Sequence, residues 1–360
     1  MLNHMLSNLE FFRGRRVFLT GHTGFKGSWL CQLLLHFGAE VTGYALSPPN
    51  QPNLFTLAGL DNRIRSITGD IRDFQSLKAV FDETQPEIVI HMAAQPIVRE
   101  SYRDPVGTYS TNVMGTVHIL ECIRQSSCVR SFLNVTTDKV YQNENPFRGF
   151  REEDPLDGYD PYSNSKSCSE LVTHSYQRSF LAAQDTAVST ARAGNVIGGG
   201  DFSPDRIVPD CVRAVQAGKP IQIRNPESLR PYQHVLDPLM AYLLIVQRQY
   251  EDPAYAGWYN VGPEACDCVP TRTLVDLFCR AWGDGAAWEC VNNDGPHEDA
   301  VLTLDCGKIR STLGWRPQWS IEQAVNHTVE WTKAWLAGEN ISDCMDRQIK
   351  VFLEEGSSNK

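Results

Sequence analysis

A short apolar run, Arg16-Val-Phe-Leu-Thr20, ends at a glycine and opens into Gly21-His-Thr-Gly24-Phe-Lys-Gly27. No other stretch constrains the fold of this chain as much. The run reads as a buried parallel strand. The G-x-x-G-x-x-G spacing suits the turn from such a strand into a helix. Gly21 allows the tight turn, Gly24 lets backbone approach a pyrophosphate, and Gly27 lets the helix pack on the strand. The apolar segment at residues 28–37 predicts that helix. The alternation then repeats, with strands expected at residues 41–45, 66–70, 88–92, 131–135 and 187–191. Helices are expected at about 112–124 and 161–180. This predicts an α/β fold, a Rossmann-type doubly wound parallel sheet occupying residues 1–193.

From Gly194 the pattern changes to Gly198-Gly-Gly-Asp201 and then to segments rich in Pro, Trp and Tyr. These cannot complete a sheet of their own. Residues 194–350 are expected to form mainly a smaller mixed lobe, with distant segments returning to the sheet, and 355–360 a polar tail. Trp315 and Trp319 read as core of that small lobe. Open parallel sheets bind ligands beyond their strand carboxyl ends, so the cleft between the lobes is the expected substrate site.

The 360 residues are 42% hydrophobic, enough for a sizeable core, and carry a formal charge of -10. That charge argues against a nucleic-acid partner. No apolar run is long enough to span a membrane, and the first residues lack the form of a secretory signal. Eleven scattered cysteines, none at metal-finger spacing, predict reduced thiols, no metal and a cytoplasmic address.

Tyr162-Ser-Asn-Ser-Lys166 places a tyrosine and a lysine on one helix face, four residues apart. An ammonium there can pull a phenol down from its usual pKa of about 10, making a general base for a hydroxyl. Alone the motif is weak, since a helix with one polar stripe has the same spelling. Thr136-Thr137-Asp138-Lys139 follows the fifth expected strand and so points into the same cleft. Thr137 can bond the oxygen that Tyr162 deprotonates, while Asp138 and Lys139 offer an acid and a base. Without Tyr162 and Lys166 this would read as a solvated turn. Asp70-Ile71 is placed to contact an adenine, and Ala93-Ala94 forms a small-residue floor at the fourth strand end. Gly43-Tyr-Ala-Leu46 stands where an acidic residue for a ribose is expected. The choice between NAD and NADP is therefore open on the residues alone.

Together with the stretches VFLTGHTGFKGSWL, GDIRDF, HMAAQP, YSTNVMGTVH, TTDKVY, YDPYSNSK, RAGNVIGGGDF, IRNPESLRPYQHV and LTLDC, these motifs resemble the extended short-chain dehydrogenase/reductase family of sugar-nucleotide epimerases and dehydratases. The resemblance covers nearly the whole chain. Within that family, GHTGFKGSWL combined with Lys139 is similar to the dehydratases acting on CDP-glucose. Other dehydratases of the family usually carry glutamate at that position, and 4-epimerases have neither acid nor base.

The resemblance implies NAD, retained tightly, with Gly21, Thr23, Gly24, Phe25, Lys26 and Gly27 holding it. Asp70, Ile71, Ala93, Ala94, Gln95, Asn112, Tyr162 and Lys166 complete that set. It assigns catalysis to Thr137, Asp138, Lys139, Tyr162 and Lys166, and the sugar-nucleotide pocket to Arg192, Asn195 and Arg230. Arg230 is expected to meet a diphosphate as a bidentate donor. Asp201 and His297 lie in matching segments without a definite role. The implied reaction oxidises carbon 4 of CDP-glucose, eliminates water across carbons 5 and 6, and returns the hydride to carbon 6. Its product feeds 3,6-dideoxysugar and O-antigen biosynthesis. Lys139 would act there either as a neutral base or as a charged stabiliser of the enolate. A homodimer or homotetramer is implied, through the helices at 112–124 and 161–180. A 4-epimerase, or a non-catalytic nucleotide-binding protein on the same fold, are the competing readings.

Overall fold

The computed structural model describes residues 8–143, 148–291 and 301–358. Seven strands form the central sheet: β1 Arg16–Thr20, β2 Glu40–Ala45, β3 Arg65–Thr68, β4 Ile88–His91, β5 Ser131–Thr137, β6 Ala187–Ala193 and β7 Trp258–Val261. All pair in parallel, in the order β7-β6-β5-β4-β1-β2-β3. This is the doubly wound sheet that the alternation predicts. The order reverses between β1 and β4, which opens a crevice at their carboxyl ends.

Side chains alternate across the sheet as a pleated backbone requires. Val17, Leu19, Ile88, Ile90, Leu133 and Val135 belong to one buried cluster, with helices α1 (Phe25–His36) and α5 (Leu236–Glu251) packed over them. Phe18, Val89 and Phe132 face the other way, beneath α2 (Phe74–Thr84), α3 (Gly115–Arg124) and the underside of α4 (Pro161–Ser179).

Three local differences from the expected elements have physical causes. Helix α1 starts at Phe25, directly after the turn glycine Gly24. The helix expected from Asn112 is broken by a π-helical turn, Ser110–Met114, whose extra residue swings Asn112 inward. Strand β6 runs on to Ala193, so every residue from 187 to 193 is buried.

The chain returns to the large lobe more than once. Helix α5 and strand β7 belong to the sheet layers, and the last helix, Ile341–Ser358, packs on α1. Trp315 and Trp319 are buried, but in the large cluster together with Phe352 rather than in the small lobe's own core. Trp319 donates to the Glu355 carboxylate at 2.7 Å, and the polar stretch after residue 354 continues the last helix as far as Ser358. The small lobe consists of three two-stranded pairs and the helices Ile207–Gln216, Thr271–Trp282 and Ile321–Leu336. Ile221, Leu274, Phe278 and Val325 lie in its core. Among the described residues, no helix is long and apolar enough to cross a membrane and no cluster could hold a metal ion.

Candidate active site

A cleft of ≈ 680 Å³ lies where the strand carboxyl ends meet the small lobe. Its first wall begins at the glycine turn. Gly21 has φ +78°, and a Cβ on Gly27 would stand 2.2 Å from the Gly21 carbonyl oxygen, so neither position accepts a side chain. Nothing crowds Gly24, and α1 starts there without a side-chain cap, leaving its first amides to an anion. The Thr20 hydroxyl accepts from the amides of Met92 and Ala93 at 3.0 and 3.1 Å, tying the ends of β1 and β4 together. Thr23, Phe25, Lys26, Asp70, Ile71, Ala93 and Ala94 also line this wall. Arg72, at 2.6 Å, holds the Asp70 carboxyl below its usual range. At the end of β2 the cleft meets Leu46, Ser47 and Asn50 and no carboxylate. The small residues and open amides fit a dinucleotide.

Gln95 and Asn112 stand behind this wall rather than in it. Asn112 accepts from the Gln95 amide at 2.8 Å and donates to Ser165 Oγ at 2.9 Å, which fixes α4 against the loop after β4.

Helix α4 is capped by Asp160, which accepts from the Ser163 amide, and Pro161 occupies its first turn. Tyr162, Lys166 and Glu170 follow at four-residue intervals. Burial pushes the Tyr162 phenol up to about 12, against its hydrogen bond with Thr137 and the charge of Arg206. Lys166 is 4% exposed and donates to the Val135 carbonyl at 3.2 Å; burial brings it down to about 8, opposed by Glu170. The expected depression of Tyr162 by Lys166 is therefore not what the structure shows. The ammonium is turned to a backbone carbonyl, and burial of the phenol dominates.

Thr137 donates to Asp138 Oδ1 at 2.9 Å, while Oδ2 of the same buried carboxyl has no hydrogen-bond partner. Burial raises the Asp138 pKa, with Lys139, Thr137 and Arg230 pulling against it. A carboxyl so placed is biased towards its protonated, proton-donating form. Lys139, half-buried, lines the cleft beside it. Lys26 reaches the same neighbourhood, brought down to about 7 by burial and by the charges of Lys166 and Arg206.

The opposite wall comes from the small lobe. Asn195, Asp201 and Arg230 line it. Arg192 does not: it is completely buried and bonded to Glu170, Tyr141 and Glu152. The resemblance assigned it to the sugar-nucleotide pocket, but its side chain is enclosed among these partners on the covered side of the sheet. His297 lies outside the described residues. Sequence reasoning missed Arg99, Asp205, Arg206 and Arg224. Asp205 sits between Arg99 at 3.6 Å and Arg224 at 3.8 Å, and Arg206 lies 3.9 Å from Asp201. The signal available was the basic residues flanking the glycine run and preceding Arg230, too generic to single out.

Comparison with known proteins follows the same outline. The family model described as GDP-mannose 4,6 dehydratase matches residues 18–264. A CDP-glucose 4,6-dehydratase from Salmonella typhimurium is 46% identical over 96% of this chain and 98% of that protein. The crystal structure of a dTDP-glucose 4,6-dehydratase from Bacillus anthracis in complex with NAD shares the fold, at 22% identity and a TM-score of 0.76 over 89% of this chain and 97% of that one. A UDP-glucose 4-epimerase complex with NAD from Thermus thermophilus gives 25% identity and a TM-score of 0.77, over 88% and 98% of the two chains.

Proposed function

The chain belongs to the GDP-mannose 4,6 dehydratase family, and from that premise we propose that it is a CDP-glucose 4,6-dehydratase, a hydro-lyase with resident NAD. One observation carries the reading: an oxidation pair, Thr137 and Tyr162, and an elimination pair, Asp138 and Lys139, share a single cleft. Bound NAD would supply a hydride acceptor for carbon 4 and a donor for carbon 6. Gly21, Gly24 and the start of α1 would hold its pyrophosphate, with Ala93 and Ala94 lining the same wall.

Tyr162 takes the proton of the sugar 4-hydroxyl, assisted by its hydrogen bond to Thr137. The resulting 4-keto group acidifies the carbon 5 proton. Lys139 then takes the carbon 5 proton as a neutral base or, charged, stabilises the enolate while water takes that proton. Asp138 gives its proton to the departing carbon 6 hydroxyl, and return of the hydride to carbon 6 with a proton to carbon 5 completes the reaction. Arg230 meets the diphosphate. The product is a 4-keto-6-deoxy sugar nucleotide suited to 3,6-dideoxysugar and O-antigen synthesis. Eleven cysteines, none bonded to another, accord with a cytoplasmic setting. Exposed Met114 and Leu171 support a homodimer or homotetramer through the helices at 112–124 and 161–180; a monomeric mass by light scattering would remove that part.

A 4-epimerase needs no elimination chemistry, and Asp138 with Lys139 argues against it. Incubation with CDP-glucose and NAD should give the alkali-induced absorbance of a 4-keto sugar. Formation of a 4-epimer, or no reaction with any nucleoside diphosphate glucose, would overturn the reading.

A further inference from the structure

Arg192 and Glu170 form a fully buried ion pair behind the cleft, and two of their remaining bonds, to Thr136 and Tyr141, flank the catalytic turn. Arg192 Nε and Nη2 each donate to Glu170 at 3.0 Å. Its Nη1 donates to the Tyr141 hydroxyl at 2.9 Å and to the Glu152 carbonyl at 3.1 Å. Glu170 also accepts from Thr136 at 2.5 Å and Thr190 at 2.7 Å. The Tyr141 hydroxyl in turn donates to Asn260 Oδ1 at 2.6 Å. A buried pair of this kind adds little stability over apolar residues of the same volume, and its best-attested use is to fix geometry.

The bonds fall on both sides of one short turn. Thr136 precedes Asp138 and Lys139, and Tyr141 follows them, so the ion pair grips the turn at both ends. Glu170 sits on α4, one helical turn beyond Lys166 and two beyond Tyr162. The helix itself is held independently, by Asn112 on Ser165 and by Asn134 on Ser169. Ser167 on α4 also donates to the Val140 carbonyl at 2.7 Å, so losing the Tyr141 bond loosens the far end of the turn without freeing it and leaves the helix in place.

We propose that Arg192, Glu170 and Tyr141 are positioning residues for elimination, fixing the Asp138–Lys139 turn against the helix face that carries Tyr162 and Lys166. The inference rests on the dehydratase reading. It assigns Arg192 a role in water loss rather than in holding the sugar nucleotide.

Two variants test it. Tyr141→Phe keeps the ring stacked on Phe150, with centroids 4.9 Å apart, and removes only the hydroxyl. Arg192→Lys keeps a charge for Glu170 but cannot reach all four acceptor sites. Each is checked for wild-type thermal unfolding, and Tyr141→Phe alone decides if the lysine variant does not fold. Both are mixed with CDP-glucose and NAD in single turnover, following absorbance at 340 nm and, after quenching, the 4-keto-6-deoxy product. Reduction of the cofactor should keep its wild-type rate while product formation slows about 10- to 100-fold, with KM unchanged. Product at the wild-type rate, or both phases slowed equally, overturns the proposal. Wild-type protein that shows no reduction followed by product would sink the dehydratase reading, and this proposal with it.

Discussion

The two walls of the cleft are built on opposite principles. The wall under β1 and β4 uses glycines, alanines and backbone amides, held by buried bonds such as Thr20 to Ala93 at 3.1 Å and Asn112 to Gln95 at 2.8 Å. The facing wall presents long cations, Arg206 and Arg224, against Asp201 and Asp205, with Arg99 reaching Asp205 from the helix after β4, all at 3.6 to 3.9 Å. The first wall is a fixed mould, intolerant even of a methyl group at Gly27. The second is a set of partly exposed ion pairs of small individual worth, in which a phosphate can take a carboxylate's place. Damage to the first should be nearly absolute, whereas damage to the second should be graded.

The largest expected effect lies on the fixed side. Tyr162→Phe should cut turnover about 100- to 10,000-fold while nucleotide binding persists, because only the proton acceptor is lost. Wild-type turnover by that variant would break the assignment. Lys139→Ala comes next. It should still reduce bound NAD on adding substrate and then stall before water leaves, lowering product formation about 100-fold. Normal product formation, or no reduction at all while substrate binds, would show that Lys139 has been given the wrong step. On the graded side, Arg224→Ala should raise KM about tenfold and leave kcat alone, as loss of one charge-assisted bond to a ligand implies. A fall in kcat with unchanged KM would place Arg224 among the reacting groups.

The smallest effect lies away from both walls and tests the burial logic itself. Asp237 is fully buried, its Oδ1 accepts from the Gln318 amide at 2.6 Å, and burial raises it to about 7 from 3.8. A raised carboxyl binds its proton in the folded state before the unfolded chain does. Its stabilising contribution is therefore present below pH 3.8 and lost as the pH rises through 7. Asp237→Asn should gain more in Tm at pH 8 than at pH 5, by a few degrees. An equal shift at both pH values would refute a protonated Asp237.

How much of this was legible in the sequence follows the same division. The fixed wall is written in local spacing, so Gly21, Gly24, Gly27 and the strand alternation could be read directly. Tyr162 and Lys166 share a face through helix geometry, yet spacing could not say that Lys166 turns to the Val135 carbonyl. Arg192 was assigned to the pocket by resemblance alone, and the pattern of β6 could not correct that, because the strand is buried throughout and no alternation tells which side chains leave towards the cleft. The π-turn at Asn112 was invisible because the residues on either side keep a helical pattern. Asp205, with φ +57°, and its two arginines come together only through tertiary folding.

The central claim is that one cleft removes a hydride from carbon 4 and delivers it to carbon 6. CDP-glucose deuterated at carbon 4 tests this most directly, with the product examined by mass spectrometry and NMR. The label should appear at carbon 6 of a 4-keto-6-deoxy product, with no net accumulation of reduced cofactor. Label found at an inverted carbon 4, or lost to solvent with stoichiometric consumption of added NAD, would contradict it.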